Sequence, residues 1–331
     1  MPRPRLTSRL TLALVLAALC ALPTRAFCFD LEGHRGARGL APENTLAAFE
    51  RAMAIGVDTL ELDVHLSADG VPMVSHDPAL QRDLTRDMSG QFLATDGPLI
   101  RSLTRDELQQ RYQLGRARPD SAVARNFPQQ VAVDGQRLPT LAEVLALLQR
   151  PGAQRLRANI ELKMNPHRPD DTPPAAVIVD AVLATLRSAG ALDRVSIQGF
   201  DWRALRLVQQ RAPRVPTAYL SAQRPGFDTI TDGTWTDGHT LAQHGSVPAM
   251  VQAAGGRLWS PAFADLTEAL VRDAHQRGLQ VLPWTVNNPA DMARLLAWGV
   301  DGLITDYPDR ARAVLRERGL PLPTPVPAGT P

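Results

Sequence analysis

Lysine is all but missing from this chain: of its 36 Lys and Arg residues, Lys163 alone is lysine. Arginine bias can follow from codon usage, yet the two cations are not equivalent. Lysine is a compact point charge on a flexible stem, whereas arginine is a rigid planar fork. Cysteine is nearly as scarce, with only Cys20 and Cys28, both close to the N-terminus. A thiolate zinc site in the body of the chain is therefore excluded, and no H-E-x-x-H spacing offers a zinc-protease alternative. No G-x-G-x-x-G opens the first helix, which argues against a doubly wound dinucleotide-binding sheet. Internal repeats and heptads are missing as well.

Long apolar runs are also lacking. The nearest, LTLALVLAALCAL, is shorter than the ~20 residues needed to span a bilayer, which disfavours an uncleaved anchor. It follows Arg3, Arg5 and Arg9 and has the length of a signal-peptide core. Thr24 and Ala26 are small residues suited to cleavage after Ala26, so residues 1–26 are expected to be removed on export. Leu19 before Cys20 is not the small residue a lipoprotein site would have. Cleavage takes away Arg3, Arg5, Arg9 and Arg25, and the formal net charge moves from +2 to −2. No basic surface for nucleic acid remains, and Cys28 keeps no intrachain partner. The expected location is periplasmic, or secreted, with no stable membrane anchor. The oligomeric state is left open by the sequence.

What is present is a rhythm. Short Val/Ile/Leu-rich runs alternate with helical patterns: FDLEGHR, TLELDVHL, RANIELKM, RVSIQGF, PTAYLS, GRLWSPAF, QVLPWTVN and VDGLITD are the candidate strands. Several of the helical segments between them open on Asn, Asp or Pro and close on Gly, the closing residues being Gly56, Gly190, Gly278, Gly299 and Gly319. Eight strands alternating with helices predict an α/β fold, a (β/α)8 TIM barrel over residues 27–318. Residues 77–138 break the rhythm and are expected to form an inserted loop or small lobe after the second strand. Residues 226–247 are a second irregular stretch, with Trp235, His239 and His244. The Pro-rich end, 319–331, is expected to be extended and disordered.

Glu61, Asp63 and His65 alternate along TLELDVHL and so share a face. A solvated strand face would account for them, but the inward side of a barrel strand fills the core. Inward carboxylates must be paired or metal-bound, and strand C-termini are where barrel enzymes place chemistry. His65 is expected to line the mouth or be solvated. Glu161 and Lys163 likewise share a face. His34 ends the first strand beside Arg35, and His76 follows the tight ADG turn. Oxygen ligands suit one hard divalent cation, Ca²⁺ or Mg²⁺, and the accompanying cations favour an anionic substrate, best a phosphate.

The block GHRGARGLAPENTLAAFERAMAIGVDTLELDVHLSADGVPMVSHDP resembles the signature of glycerophosphodiester phosphodiesterases. IELK at 160–163, FD at 200–201, PWTVN at 283–287 and DGLITDYP at 301–308 extend the resemblance, in order, to about residue 315. It implies a metal-dependent (β/α)8 barrel that hydrolyses small glycerophosphodiesters to glycerol 3-phosphate and an alcohol. It further implies that His34 and His76 are the acid–base pair and that Glu61, Asp63 and Glu161 are metal ligands. Arg35 and Lys163 would contact the phosphate, and Trp284 would wall the glycerol. Glu43 would hold Arg35 or the first loop, or else serve as a first-turn helix carboxylate. Gln198 and Phe200 are candidates for lining the pocket, although QGFD lacks the small hydroxyl residue common before the aromatic. The competing readings are a phospholipase D- or phosphatidylinositol phospholipase C-like enzyme and a non-catalytic binding protein.

Overall fold

Eight parallel strands frame the molecule: β1 (Asp30–Gly33), β2 (Thr59–Leu66), β3 (Arg157–Leu162), β4 (Val195–Gly199), β5 (Thr217–Ser221), β6 (Leu258–Pro261), β7 (Gln280–Val281) and β8 (Gly302–Thr305). The computed structural model describes residues 29–327, so the expected signal segment, Cys20 and Cys28 lie outside the described residues. Strand order in space follows strand order in sequence, with β1 between β2 and β8. Backbone bonds from Asp301 N to Val281 O (3.0 Å), Ile304 N to Pro283 O (3.0 Å) and Val286 N to Ile304 O (2.9 Å) join the β7 and β8 regions. The ring is thus a (β/α)8 barrel rather than an open doubly wound sheet.

The helices after successive strands are α1 (Leu46–Ile55), α2 (Leu141–Leu147), α3 (Ala175–Ser188), α4 (Trp202–Arg211), α5 (Val247–Ala253), α6 (Glu268–Gln276), α7 (Pro289–Ala297) and α8 (Pro308–Glu317). Polar side chains start most of them. Thr45 caps α1, Thr140 forms a reciprocal box with Glu143 on α2, and Thr267 and Asn288 cap α6 and α7. Alternation sorts β2 as a barrel requires. Leu60, Leu62 and Val64 join Phe49 and Met53 of α1 and Val144 and Leu145 of α2 in one apolar cluster. Burying each such side chain stabilises the fold by about 1.5–3 kcal/mol. The intervening Glu61, Asp63 and His65 are left to the barrel interior, where all three are buried.

Residues 77–138 carry local order. A two-stranded pairing of Arg86–Asp87 with Tyr112–Gln113 and a helix at Arg105–Arg111 surround a small core of Met73, Leu80, Ile100, Leu108 and Leu138. The Pro-rich end departs from the expected disorder as far as Pro327. Val326 is buried and donates its N–H to Met53 O at 2.8 Å, and the Arg312 guanidinium bonds Pro323 O. Proline lacks an N–H but keeps its carbonyl acceptor, so a Pro-rich segment can still be tied down from outside.

Candidate active site

The chain turns sharply as it leaves β1. Arg35 takes φ 48° and Gly36 φ 86°, and a Cβ on Gly36 would lie 2.5 Å from the Ala48 backbone. A left-handed arginine costs on the order of 1–3 kcal/mol. The turn recovers this through hydrogen bonds: Arg35 N–H donates to Glu61 Oε2 at 2.9 Å, and Arg35 O accepts from Asn44 N at 3.1 Å. Asn44, at φ 53°, donates its side-chain amide to Asp63 Oδ2 at 2.9 Å. The strained loop therefore delivers two N–H donors to the two carboxylates of β2.

Strand register assembles the carboxylates. Asp63 on β2 lies opposite Glu161 on β3, and Glu161 lies beside Gln198 on β4. Oxygens of Glu61, Asp63 and Glu161 all fall within 4.8 Å of one another. Lys163 Nζ sits 2.8 Å from Glu161 Oε1 and 3.5 Å from Asp63 Oδ1. Arg35 reaches Glu43 at 2.6 Å and Asp63 at 3.3 Å, and Arg38 holds the other oxygen of Glu43. Glu43 precedes the N-cap of α1, so it is a clamp on two arginines and not a first-turn carboxylate.

These environments push the three acids apart. Burial alone would raise Asp63, but Lys163 and then Arg35 outweigh it and hold the carboxyl well below its usual range. Burial, followed by the Asp63 charge, holds Glu61 well above. Glu161 is pushed up to about 7 by burial, against the pull of Lys163. Four carboxylates (Glu43, Glu61, Asp63, Glu161) thus face three cations (Arg35, Arg38, Lys163) in a buried cluster. Carboxyls outnumber cations here, and the two held high would ionise against a bound positive charge, so this all-oxygen donor set fits a hard divalent cation such as Ca²⁺ or Mg²⁺.

Both candidate histidines face the same cavity, of about 610 Å³, at the C-terminal end of the strands. His34 Nδ1 lies 2.6 Å from Asp306 Oδ1, and its Nε2 lies 4.0 Å from Glu61 Oε2. Asp306 is held in turn by Asn287, whose Nδ2 donates to Oδ2 at 2.6 Å and whose Oδ1 accepts the Asp306 N–H at 2.9 Å. Burial lowers His34, and the Asp306 charge opposes it. His76 is pushed down to about 4 by burial, then by the charges of Arg35 and Lys163. Its Nδ1 lies 3.2 Å from Asp77 Oδ1, and Asp77 also accepts from Gln81. His65 lines the cavity as expected but is buried, with Nε2 3.2 Å from the His76 carbonyl, where it supports the His76 loop.

The far wall is aromatic. Phe200 meets Phe227, Trp284 and Trp235 edge to face, at centroid separations of 5.1, 5.5 and 6.2 Å. The Arg224 guanidinium stands 5.5 Å from the rings of both Phe227 and Trp284. The irregular stretch 226–247 supplies Phe227 and Trp235 to this wall, while His239 and His244 pair with each other outside the lining.

The structure brings His34, Arg35, Glu61, Glu161, Lys163, Gln198, Phe200 and Trp284 to the cavity with His76, and sets Asp63 and Glu43 directly behind. Gln198 does more than line the pocket, since it donates to Glu61 Oε1 at 2.8 Å. Sequence reasoning missed Asp306, Asn287, Asn44 and Asp77. All four lie inside the motif blocks quoted above, so a polar residue adjoining a motif was the available signal.

A parallel barrel with paired histidines, a carboxylate triad and two cations around one mouth defines a metal-competent hydrolase for a small anionic substrate. The family model for the glycerophosphoryl diester phosphodiesterase family matches residues 34–310. The chain belongs to that family, and it is a phosphoric diester hydrolase acting on glycerophosphodiesters. It is 31% identical over 284 residues to the glycerophosphodiester phosphodiesterase of Bacillus subtilis, covering 83% of each chain. It is 29% identical over 294 residues to the glycerophosphodiester phosphodiesterase of Caldanaerobacter subterraneus, covering 86% of this chain and 97% of that protein. A crystal structure from Silicibacter pomeroyi, assigned as a glycerophosphoryl diester phosphodiesterase, matches with TM-score 0.79 and 38% identity over 88% of this chain and 95% of its own. An Oleispira antarctica phosphodiesterase solved with the product sn-glycerol-3-phosphate shares the fold, with TM-score 0.64 and 24% identity over 88% of this chain and 98% of its own.

Proposed function

We propose that the protein, exported to the periplasm, releases glycerol 3-phosphate and an alcohol from deacylated phospholipids, with His34 and His76 exchanging the protons. The observation that carries this reading is the convergence of His34, His76, Arg35 and Lys163 on the cavity that Glu61 and Glu161 also line. Glu61, Asp63 and Glu161 would hold the divalent cation, Ca²⁺ or Mg²⁺. When bound, such a cation polarises phosphoryl oxygens as a Lewis acid. Arg35 and Lys163 offset charge on the remaining oxygens, and the Lys163 ammonium can swing from Glu161 on its flexible stem.

Asp306 holds Nδ1 of His34 and leaves Nε2 to take or give a proton in the cavity. Both histidines are depressed before substrate arrives, so neutral imidazole is ready as a base near pH 7. An incoming phosphodiester anion counters Arg35 and Lys163, whose charges help depress His76, and so favours a proton on a histidine. Such proton transfer is worth about 10²–10⁴-fold. The aromatic wall of Phe200, Phe227, Trp235 and Trp284 gives a second reading its support, a preference for lysophospholipids.

A metal-swap assay on a small panel tests both. Protein recovered from the periplasmic fraction should begin at Phe27. It should release glycerol 3-phosphate from glycerophosphocholine and glycerophosphoethanolamine with Ca²⁺ or Mg²⁺, and EDTA should stop it. A higher kcat/KM on lysophosphatidylcholine would favour the lipid reading. Binding without product under either metal would leave a binding protein.

A further inference from the structure

A line of buried side chains crosses the barrel interior from its lower end to Glu61. Glu32 on β1 and Asn159 on β3 line a cavity of about 460 Å³ at the N-terminal ends of the strands, together with Ser196 of β4. Glu32, Asn159, Gln198 and Glu61 are each at most 2% exposed. Asn159 Nδ2 donates to Glu32 Oε2 at 2.9 Å and to Gln198 Oε1 at 3.0 Å. Its Oδ1 accepts from Ser196 Oγ at 2.9 Å. Gln198 Nε2 then donates to Glu61 Oε1 at 2.8 Å.

With Glu61 ionised, as a metal ligand must be, each amide has a single orientation compatible with its neighbours. Turning Asn159 over would set its oxygen against the Gln198 oxygen. With Gln198 Oε1 claimed by Asn159, its NH₂ must face Glu61. The other oxygen of Glu61 is held by the Arg35 N–H at 2.9 Å, so both oxygens are anchored and the carboxylate plane is set. Burial, then the Asp30 charge, holds the Glu32 carboxyl well above its usual range, so an acid at this place is costly to the fold. An apolar residue would fill the space without that cost, but it could not orient Asn159.

We propose that Glu32, Asn159 and Ser196 are positioning residues that act through Gln198 to hold the Glu61 carboxylate in the arrangement a divalent cation needs. The proposal rests on the reading of Glu61 as a metal ligand. It extends the site from the barrel mouth to the barrel floor, without contact between Glu32 and substrate.

Direct cation binding tests it. CaCl₂, and separately MgCl₂, is titrated calorimetrically into EDTA-stripped protein and its Glu32→Leu, Glu32→Gln, Ser196→Ala, Glu32→Leu/Ser196→Ala and Glu61→Gln variants. Outer-shell partners of metal ligands are worth about 10–100-fold in affinity. Glu32→Leu is expected to weaken binding toward the lower figure, and the double variant further, because Asn159 then keeps Gln198 as its one side-chain partner. Glu32→Gln keeps an acceptor oxygen and should restore affinity. Excess cation should return Glu32→Leu toward native kcat, which a merely structural lesion would not allow. If the double variant does not fold, Asn159→Ser removes the same amide and should show the same loss. Unchanged affinity in the folded Glu32 and Asn159 variants, with binding lost in Glu61→Gln, overturns the positioning role alone. Native affinity in Glu61→Gln overturns the ligand assignment and the positioning role with it.

Discussion

The two ends of the barrel interior treat buried charge in opposite ways. At the lower end Asp30 meets Arg157 at 2.8 Å and accepts from Thr59 Oγ1 at 2.8 Å, a locally matched pair beside Glu32. At the upper end Glu61, Asp63 and Glu161 crowd within 4.8 Å and share their cations. The result there is divergence, with Asp63 held low and Glu61 and Glu161 held high. Repelling carboxylates persist in a core only where something offsets them, and strongly displaced acids in a cleft mark chemistry. The upper end gathers three such acids within reach of one ion, whereas the lower end holds one, Glu32, hydrogen-bonded to Asn159.

The largest expected break in that contrast is at the histidines. His34→Ala or His76→Ala should lower kcat by about 10²–10⁴-fold with the fold retained, although His34→Ala also leaves Asp306 short of a partner and should melt somewhat lower. Steady-state release of glycerol 3-phosphate measures the first, and circular dichroism the second; near-native kcat in either variant would remove that residue from the acid–base pair. A smaller effect is expected at Lys163→Arg. The charge is kept, but a planar guanidinium replaces a mobile ammonium that sits 2.8 Å from Glu161 and 3.5 Å from Asp63. Hydrogen bonds to charged groups are worth about 1.5–3 kcal/mol, so turnover should fall by roughly tenfold or more. Turnover at the native rate would make the lone lysine a matter of composition.

The smallest effect belongs to the lower end. Burial raises the Asp30 carboxyl in spite of Arg157, and Arg157 is about half exposed, so the pair is close to break-even. Asp30→Asn should shift stability by less than about 1 kcal/mol and leave kcat alone. A large loss of activity would mean the two ends are coupled through more than the Glu32–Asn159–Gln198 line.

Much of the fold and of the site is legible in the residues themselves. The eight strand runs all appear as barrel strands, because period-two alternation and capped helices are local properties. The candidate site residues are legible by type and spacing: Glu61 with Asp63, and Glu161 with Lys163, lie two apart along the chain and so face the same way. Other features are not local. Asp306 holds His34 across 272 residues of chain, and only barrel closure brings β8 beside β1. Gln198 reads as pocket lining, since nothing in QGFD says that its amide is claimed by Asn159 on one side and Glu61 on the other. The tail reads as loose because composition reports proline's missing donors, not the Met53 carbonyl and the Arg312 guanidinium that receive it.

The sequence by itself determined the alternation of elements, the face on which each acid lies and the kinds of group available for catalysis. Tertiary structure alone decided which groups meet. Strand register set Asp63 against Glu161, closure set Asp306 against His34, and a strained turn at Arg35 aimed a backbone N–H at Glu61. The physical reason is that hydrogen bonds and Coulomb terms act over a few ångströms of space, and chain distance does not measure that separation.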